Sequence, residues 1–291
     1  MHVVQTITAI HDRYIASTPS SPNSRLTVTE RYHLGQAAIL FNKKLSKPIQ
    51  EETRDGLWGA AAMLGALSFA TIEASNPEES WPLTPSDPSD LDWIRMSENK
   101  SAVWHIAKPY RENSIFHVLA SEYEKHWFVP NTSLKMGNEG IPADFAKVYE
   151  LHELSTPDNN PYFLPLHSLV ALLNIECTRQ SMSKFLTFIC RLPPQFKVLL
   201  EQKDPRALLL LAYWHMKVAD TVWFLDWRTQ MECKAICIYL ERYHWLDRPL
   251  HRLLVPPKKW CGYESPSSQY GMLAWGPVGD TALGAWGEVT V

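Results

Sequence analysis

Cys233 and Cys237 stand one helical turn apart, a spacing that lets two thiolates face one metal ion. No Cys-x-x-Cys and no His pair at ligand spacing completes a set around them. The same two positions extend an apolar stripe with Ile236 and Leu240, and free cysteine commonly serves as a small buried hydrophobe. The reading is core thiols and no metal. His215, inside an apolar run after Asp204, is either a polar contact orienting a greasy ligand or a hydrogen-bonded core residue. Asp226, between Leu225 and Trp227, is an acid among rings, a partner for Arg228, or a helix cap. His11 adjoins Asp12 and Arg13. Nucleophilic and phosphate chemistry have no foothold: there is no Gly-x-Ser-x-Gly, no His-Glu-x-x-His and no phosphate-cradling glycine loop. Gly276-Pro277-Val278-Gly279 is too short to hold a nucleotide. No cofactor is expected.

The aromatic residues carry more. Tyr213, Trp214, Trp223, Phe224 and Trp227 crowd one region of a chain that holds 12 Trp in all. Such rings either pack a core or line an elongated apolar cavity between helices. The second alternative makes Tyr213, Trp214, His215, Trp223 and Trp227 the candidate lining of a pocket for a rigid hydrophobic molecule, such as a sterol or terpenoid.

Helices must position these side chains. Val3, Val4, Ile7 and Ile10 form a stripe on a first helix that reaches Ile15 and stops in Ser-Thr-Pro-Ser-Ser-Pro. Thr27-Val28-Thr29-Glu30 has capping-box spacing, and Leu34, Ala37, Ala38, Phe41 and Leu45 follow at helical intervals. A helix over Glu51 to Ala74 is apolar on nearly every face from Leu57 onward and demands neighbours all round; Gly59 and Gly65 offer close approach. The prolines and acidic residues from Asn76 to Asp90 predict a loop anchored by Trp81. Short helices are expected over Ala102 to Ala107, Ser114 to Trp127, Leu164 to Cys177 and Lys184 to Leu192, and after Pro193-Pro194. Asp204-Pro205 is an N-cap acceptor followed by proline at the first helical position, opening a helix over Ala207 to Ala219 that is apolar nearly all round. Thr229 to Glu232 repeats the capping-box spacing. Arg248-Pro249 opens a last helix stopped by Pro256-Pro257. No strand and no repeat is legible. The prediction is all-α, one multi-helix domain with a central apolar pocket, its body over about 1–258 and a Gly/Pro-rich tail over about 259–291 docked by Trp275 and Trp286. The irregular stretch Val129 to Pro142 is the best alternative boundary.

Composition removes several functions. Lys and Arg total 28 against 31 Asp and Glu, a formal charge of −3, so no basic face suits direct nucleic-acid binding. The apolar run Leu57 to Ile72 is too short for a bilayer span. Five cysteines, none in the first half, fit a reducing nuclear or cytoplasmic setting rather than a disulfide framework.

Taken in order, these segments resemble a known family. Asp204-Pro205-Arg206-Ala207 through Trp214 is similar to a signature in the ligand-sensing C-terminal domain of fungal zinc-cluster transcription regulators, nearest the sterol uptake control branch. Trp223 to Arg228, Glu232 to Glu241, Arg248-Pro249-Leu250 with Leu253-Leu254, Leu40-Phe41-Asn42, Trp81-Pro82-Leu83 and Asp90-Leu91-Asp92-Trp93 support it. The likeness covers nearly the whole chain. It implies a helical domain with a deep apolar cavity, in which a bound sterol restrains the regulator and its loss frees it. The six-cysteine DNA-binding cluster of that family is absent here, and Met1 falls where the family's first matching helix is already under way. The chain is therefore expected to be an excised domain, a regulator acting through a protein partner, or a scaffold diverted to another use. The leading function is a regulatory domain binding a hydrophobic small molecule. The alternative is a cofactor-free cyclase, isomerase or pericyclase, such as a Diels-Alderase, acting on a terpenoid or polyketide of fungal secondary metabolism. Its rate would come from holding substrate in a reactive fold.

Overall fold

The computed structural model describes residues 1–17, 25–127, 136–219 and 221–264. Among them are twelve α-helices and no strand: α1 (His2–Ala16), α2 (Val28–Leu45), α3 (Arg54–Ala70), α4 (Asp92–Ala107), α5 (His117–Trp127), α6 (Ala143–Val148), α7 (Phe163–Leu173), α8 (Met182–Cys190), α9 (Pro194–Glu201), α10 (Pro205–Val218), α11 (Trp223–Tyr243) and α12 (Arg248–Trp260). The fold is all-α. The expected tail with Trp275 and Trp286, and part of the stretch 129–142, lie outside the described residues.

Local chemistry sets several helix starts. Thr27 Oγ1 accepts the Glu30 N–H at 3.2 Å while Glu30 accepts the Thr27 N–H at 2.7 Å, closing the capping box of α2. The other Glu30 oxygen takes Arg13 Nε at 3.1 Å and ties α1 to α2. Asp204 Oδ1 accepts the N–H groups of Arg206 and Ala207 at 3.0 and 2.9 Å, and Pro205 occupies the first turn of α10. That helix is buried on nearly all sides, Ala207 through His215 without exception. It packs against α7, α8, α9, α11 and α12, as a helix apolar nearly all round must.

α3 is the second hub. Its Leu57, Trp58 and Ala61 meet Val103, Trp104 and Ala107 of α4, while Leu64, Leu67 and Ala70 meet Val3 and Ile10 of α1 and Ala37 of α2. It also packs on α11, from the far half of the chain. It ends at Ala70 rather than Ala74, where Thr71 leaves the helical region and turns its hydroxyl onto the Leu67 carbonyl at 2.8 Å. Gly59 and Gly65 admit side chains rather than backbones: a Cβ on Gly59 would meet the Phe116 ring at 3.2 Å, and one on Gly65 the Lys100 stem at 3.7 Å. Trp81 is buried in the main core and anchors its loop as expected.

Three further expectations need correction. The short helix over Ala102 to Ala107 is the end of a longer one, α4, which begins at Asp92 after Leu91. Thr229 does not cap a helix, because α11 begins six residues earlier; its hydroxyl donates to the Asp226 carbonyl at 2.9 Å from inside the helix. Pro256 and Pro257 do not stop α12, which runs through them to Trp260. Pro257 lacks the N–H that would reach the Leu253 carbonyl four residues back, as Pro256 lacks the one for Arg252, and at Leu253 the Tyr213 hydroxyl takes its place, donating to Leu253 O at 2.7 Å. Replacing Tyr213 by Phe is therefore expected to strand that buried carbonyl and destabilise the fold by roughly 1–3 kcal/mol. Urea unfolding measures it; an unchanged midpoint refutes the substitution of a hydroxyl for the missing amide.

Candidate functional site

Three neighbouring residues carry buried polar atoms without hydrogen-bond partners: both ring nitrogens of His215 on α10, Oε2 of Glu232 on α11 and Nε1 of Trp93 on α4. His215 is fully buried and Glu232 nearly so. His215 Nε2 stands 3.4 Å from Glu232 Oε2, near enough to feel the carboxylate but without completing a hydrogen bond. Arg228, one turn before Glu232, bonds its Oε1 and lies over the Trp93 ring, Cζ to centroid 5.3 Å. The guanidinium then reaches across to the carbonyl end of α3, donating to Phe69 O at 3.1 Å, Ser68 O at 3.1 Å and Thr71 O at 3.2 Å. It thus caps a helix whose C-terminal carbonyls carry partial negative charge. Trp93 and Trp214 stack at 5.9 Å over this group.

Burial holds the His215 pKa below its ordinary value, against the pull of Glu232 and with help from Arg228, so the ring is neutral in the folded protein. An unfolded histidine titrates near 6.5. Protonation is therefore easier in the unfolded chain, and stability is complete above about pH 6.5 and falls as pH drops below it, by up to about 1.4 kcal/mol per pH unit. Denaturant titrations from pH 5 to 8 are expected to show this acid slope, and His215→Gln to flatten it. Identical slopes in both proteins would contradict a neutral buried ring.

The five sequence candidates point in three directions. Tyr213 lies against Phe145, centroids 5.2 Å apart, and serves α12. Trp214 and His215 face Trp93, the indole N–H of Trp214 donating to Phe185 O at 2.9 Å. Trp223 and Trp227 face α1: Trp223 meets His11 at 4.8 Å, and Arg13 lies over Trp227 at 5.0 Å. The geometry is helical: three consecutive residues are about 100° apart, whereas residues four apart share a face. Asp226 does not pair with Arg228, two residues away and on another face. It accepts Tyr14 Oη at 3.0 Å and Gln230 Nε2 at 2.8 Å.

None of the five lines a hollow that opens elsewhere along α3. That hollow, about 350 Å³, opens between α1, α2 and the first half of α3. Val3, Ala37, Phe41, Leu57, Ala60 and Leu64 make its apolar wall, with His2, Lys44 and Thr53 as polar elements. Its volume falls within the range of small-molecule sites. A second cavity of about 130 Å³ lies between α7 and α8, at Leu164, Phe188 and Leu192.

Sequence reading missed the cleft and most of the polar cluster. Glu232 carried a misleading signal, the false capping box. Arg228 had its carbonyl partners more than 150 residues away. Trp93 was visible only in the Asp90-to-Trp93 motif. Set against family models, curated proteins and solved structures, the chain finds no match.

Proposed function

We propose that this chain is a ligand-responsive regulatory domain that takes a small hydrophobic molecule, of sterol or terpenoid class, into the cleft between α1, α2 and α3. The observation that carries the reading is α3 itself. Its first half forms one wall of a cleft with apolar sides and a polar rim, and its last carbonyls are clasped by Arg228. A molecule seated against Leu57, Ala60 and Leu64 bears on the same helix that the buried charges hold. Differential affinity for two positions of α3 would convert binding into a change of surface for a protein partner. The resemblance to the zinc-cluster regulators agrees with this use and with a nuclear or cytoplasmic site of action. With a formal charge of −3, contact with DNA would pass through the partner. No helix among the described residues is long and apolar enough to cross a membrane.

Gly56 supplies the test. It borders the cleft, and a Cβ added there meets nothing within 4 Å. Gly56→Leu is expected to fill the cleft while raising helix stability by about 0.5–1 kcal/mol. Affinity for a fluorescent sterol analogue should fall by about tenfold or more as the melting temperature holds or rises. Native mass spectrometry of protein from a fungal host should find a lipid on the wild type and less on the variant. Equal loading of both would refute the cleft as the site.

The enzymatic alternative draws on a different observation. His215 and Glu232 are an acid–base pair with open hydrogen-bonding capacity among aromatic rings, the residue types that move protons in an isomerisation. Their complete burial ranks this reading second. Conversion of a co-purified metabolite to an isomer of equal mass, lost in Glu232→Gln, would reverse that order.

A further inference from the structure

We propose that Cys233, Cys237 and Cys261 form a three-thiolate site for a soft d10 metal ion. Cys233 and Cys237 lie one turn apart on the face of α11 that meets α10 and α12. Cys261 is the C-cap of α12, carried back onto α11 because α12 packs along α10 and α11. The three Sγ atoms lie within 4.8 Å of one another, and those of Cys237 and Cys261 are 4.0 Å apart. Sulfurs tetrahedrally bound at 2.3 Å from zinc sit about 3.8 Å apart, so side-chain adjustments of less than about an ångström close the triad. A disulfide needs two sulfurs near 2.05 Å and would leave the third thiol over.

The surroundings suit thiolates. Cys233 and Cys237 are buried, whereas Cys261 is half-buried and opens a path for an ion to arrive. Hydrogen bonds from Cys233 and then Cys237 lower the Cys261 pKa against its partial burial, with the Lys234 charge assisting. Burial first, and then the other two sulfurs, push the Cys233 thiol up. A bound cation would take the place of the thiol protons. Binding releases those protons to solvent, so affinity should weaken in acid. All-sulfur ligation selects zinc or cuprous copper over hard cations. Zinc would complete its four ligands with a solvent molecule beside Cys261; cuprous copper would be satisfied by three sulfurs alone.

The experiment uses the full chain, stripped of metal and kept reduced. Cobalt(II), as a spectroscopic stand-in for zinc, and copper(I), buffered by a competing chelator, are titrated separately. One equivalent of either, with sulfur-to-cobalt charge-transfer absorption or chelator-resistant copper, is the expected result, and the arm that responds names the ion. Cys261→Ser, at a half-buried helix end, should keep the circular dichroism of the wild type and lose at least 100-fold in affinity. Absence of thiolate binding in both arms on the wild type overturns the proposal without reference to any variant. So does a Cys261→Ser protein that binds as tightly as the wild type.

Discussion

Arg228→Met is expected to destabilise the protein by about 3–5 kcal/mol, a large share of the 5–15 kcal/mol that ordinarily separates folded from unfolded domains. Two effects combine. The substitution removes the donor from three carbonyls at the end of α3, those of Ser68, Phe69 and Thr71. It also strands Glu232, which is 2% exposed, with a buried negative charge and no cation. The second effect is separable from the first. In Arg228→Met/Glu232→Leu no charge is stranded, so the double variant should regain at least about 1 kcal/mol of what the single one loses, because an apolar replacement of a buried pair is often near neutral. It should not regain all of it, since the carbonyls of α3 remain uncapped. Chemical unfolding of the three proteins decides the matter. A double variant no more stable than Arg228→Met would mean that stranded charge is not the source of the loss.

Trp214→Ala should be as damaging, by about 3–5 kcal/mol, for a reason of volume. Trp214 is fully buried, stacks on Trp93 and gives its N–H to the Phe185 carbonyl. Truncation opens an indole-sized void next to His215 and removes the indole donor from that carbonyl. Such a void, largely apolar and walled by a close-packed core, is expected to accept free indole, which restores both the ring stack and the N–H donor. Indole should then raise the melting temperature of the variant in a concentration-dependent way and leave the wild type unchanged. Failure of rescue, in a variant whose circular dichroism remains helical, would show that the core collapses into the space instead.

These residues also mark how far the sequence could be read. Elements set by neighbouring residues were legible: the capping box at Thr27, the Asp204 cap with Pro205, and the central place of α10 implied by its unbroken apolar run. Thr229 to Glu232 satisfied the same local rule and failed, because α11 had already started at Trp223. A hydroxyl bonding to a carbonyl three residues back needs no cap position. Pro256-Pro257 failed for a related reason, since the hydroxyl that rescues α12 comes from Tyr213, on another helix. Of the candidate site, only His215 was singled out among the polar residues that converge. Glu232, Arg228 and Trp93 acquire their meaning from α3, α4 and α11 coming together, and periodicity cannot report on contacts of that range. Cys261 was likewise unremarkable until α12 brought it back to α11.

The dependence of α3 on α11 bears on how the chain is made. A ribosome adds roughly 5–20 residues per second, so roughly ten to thirty seconds separate synthesis of α3 from that of the helix that completes its cover. Over that interval one oily flank of the emerging polypeptide waits uncovered, a natural customer for chaperones. Chains truncated before residue 223 should accordingly be recovered as aggregates rather than as a smaller folded body.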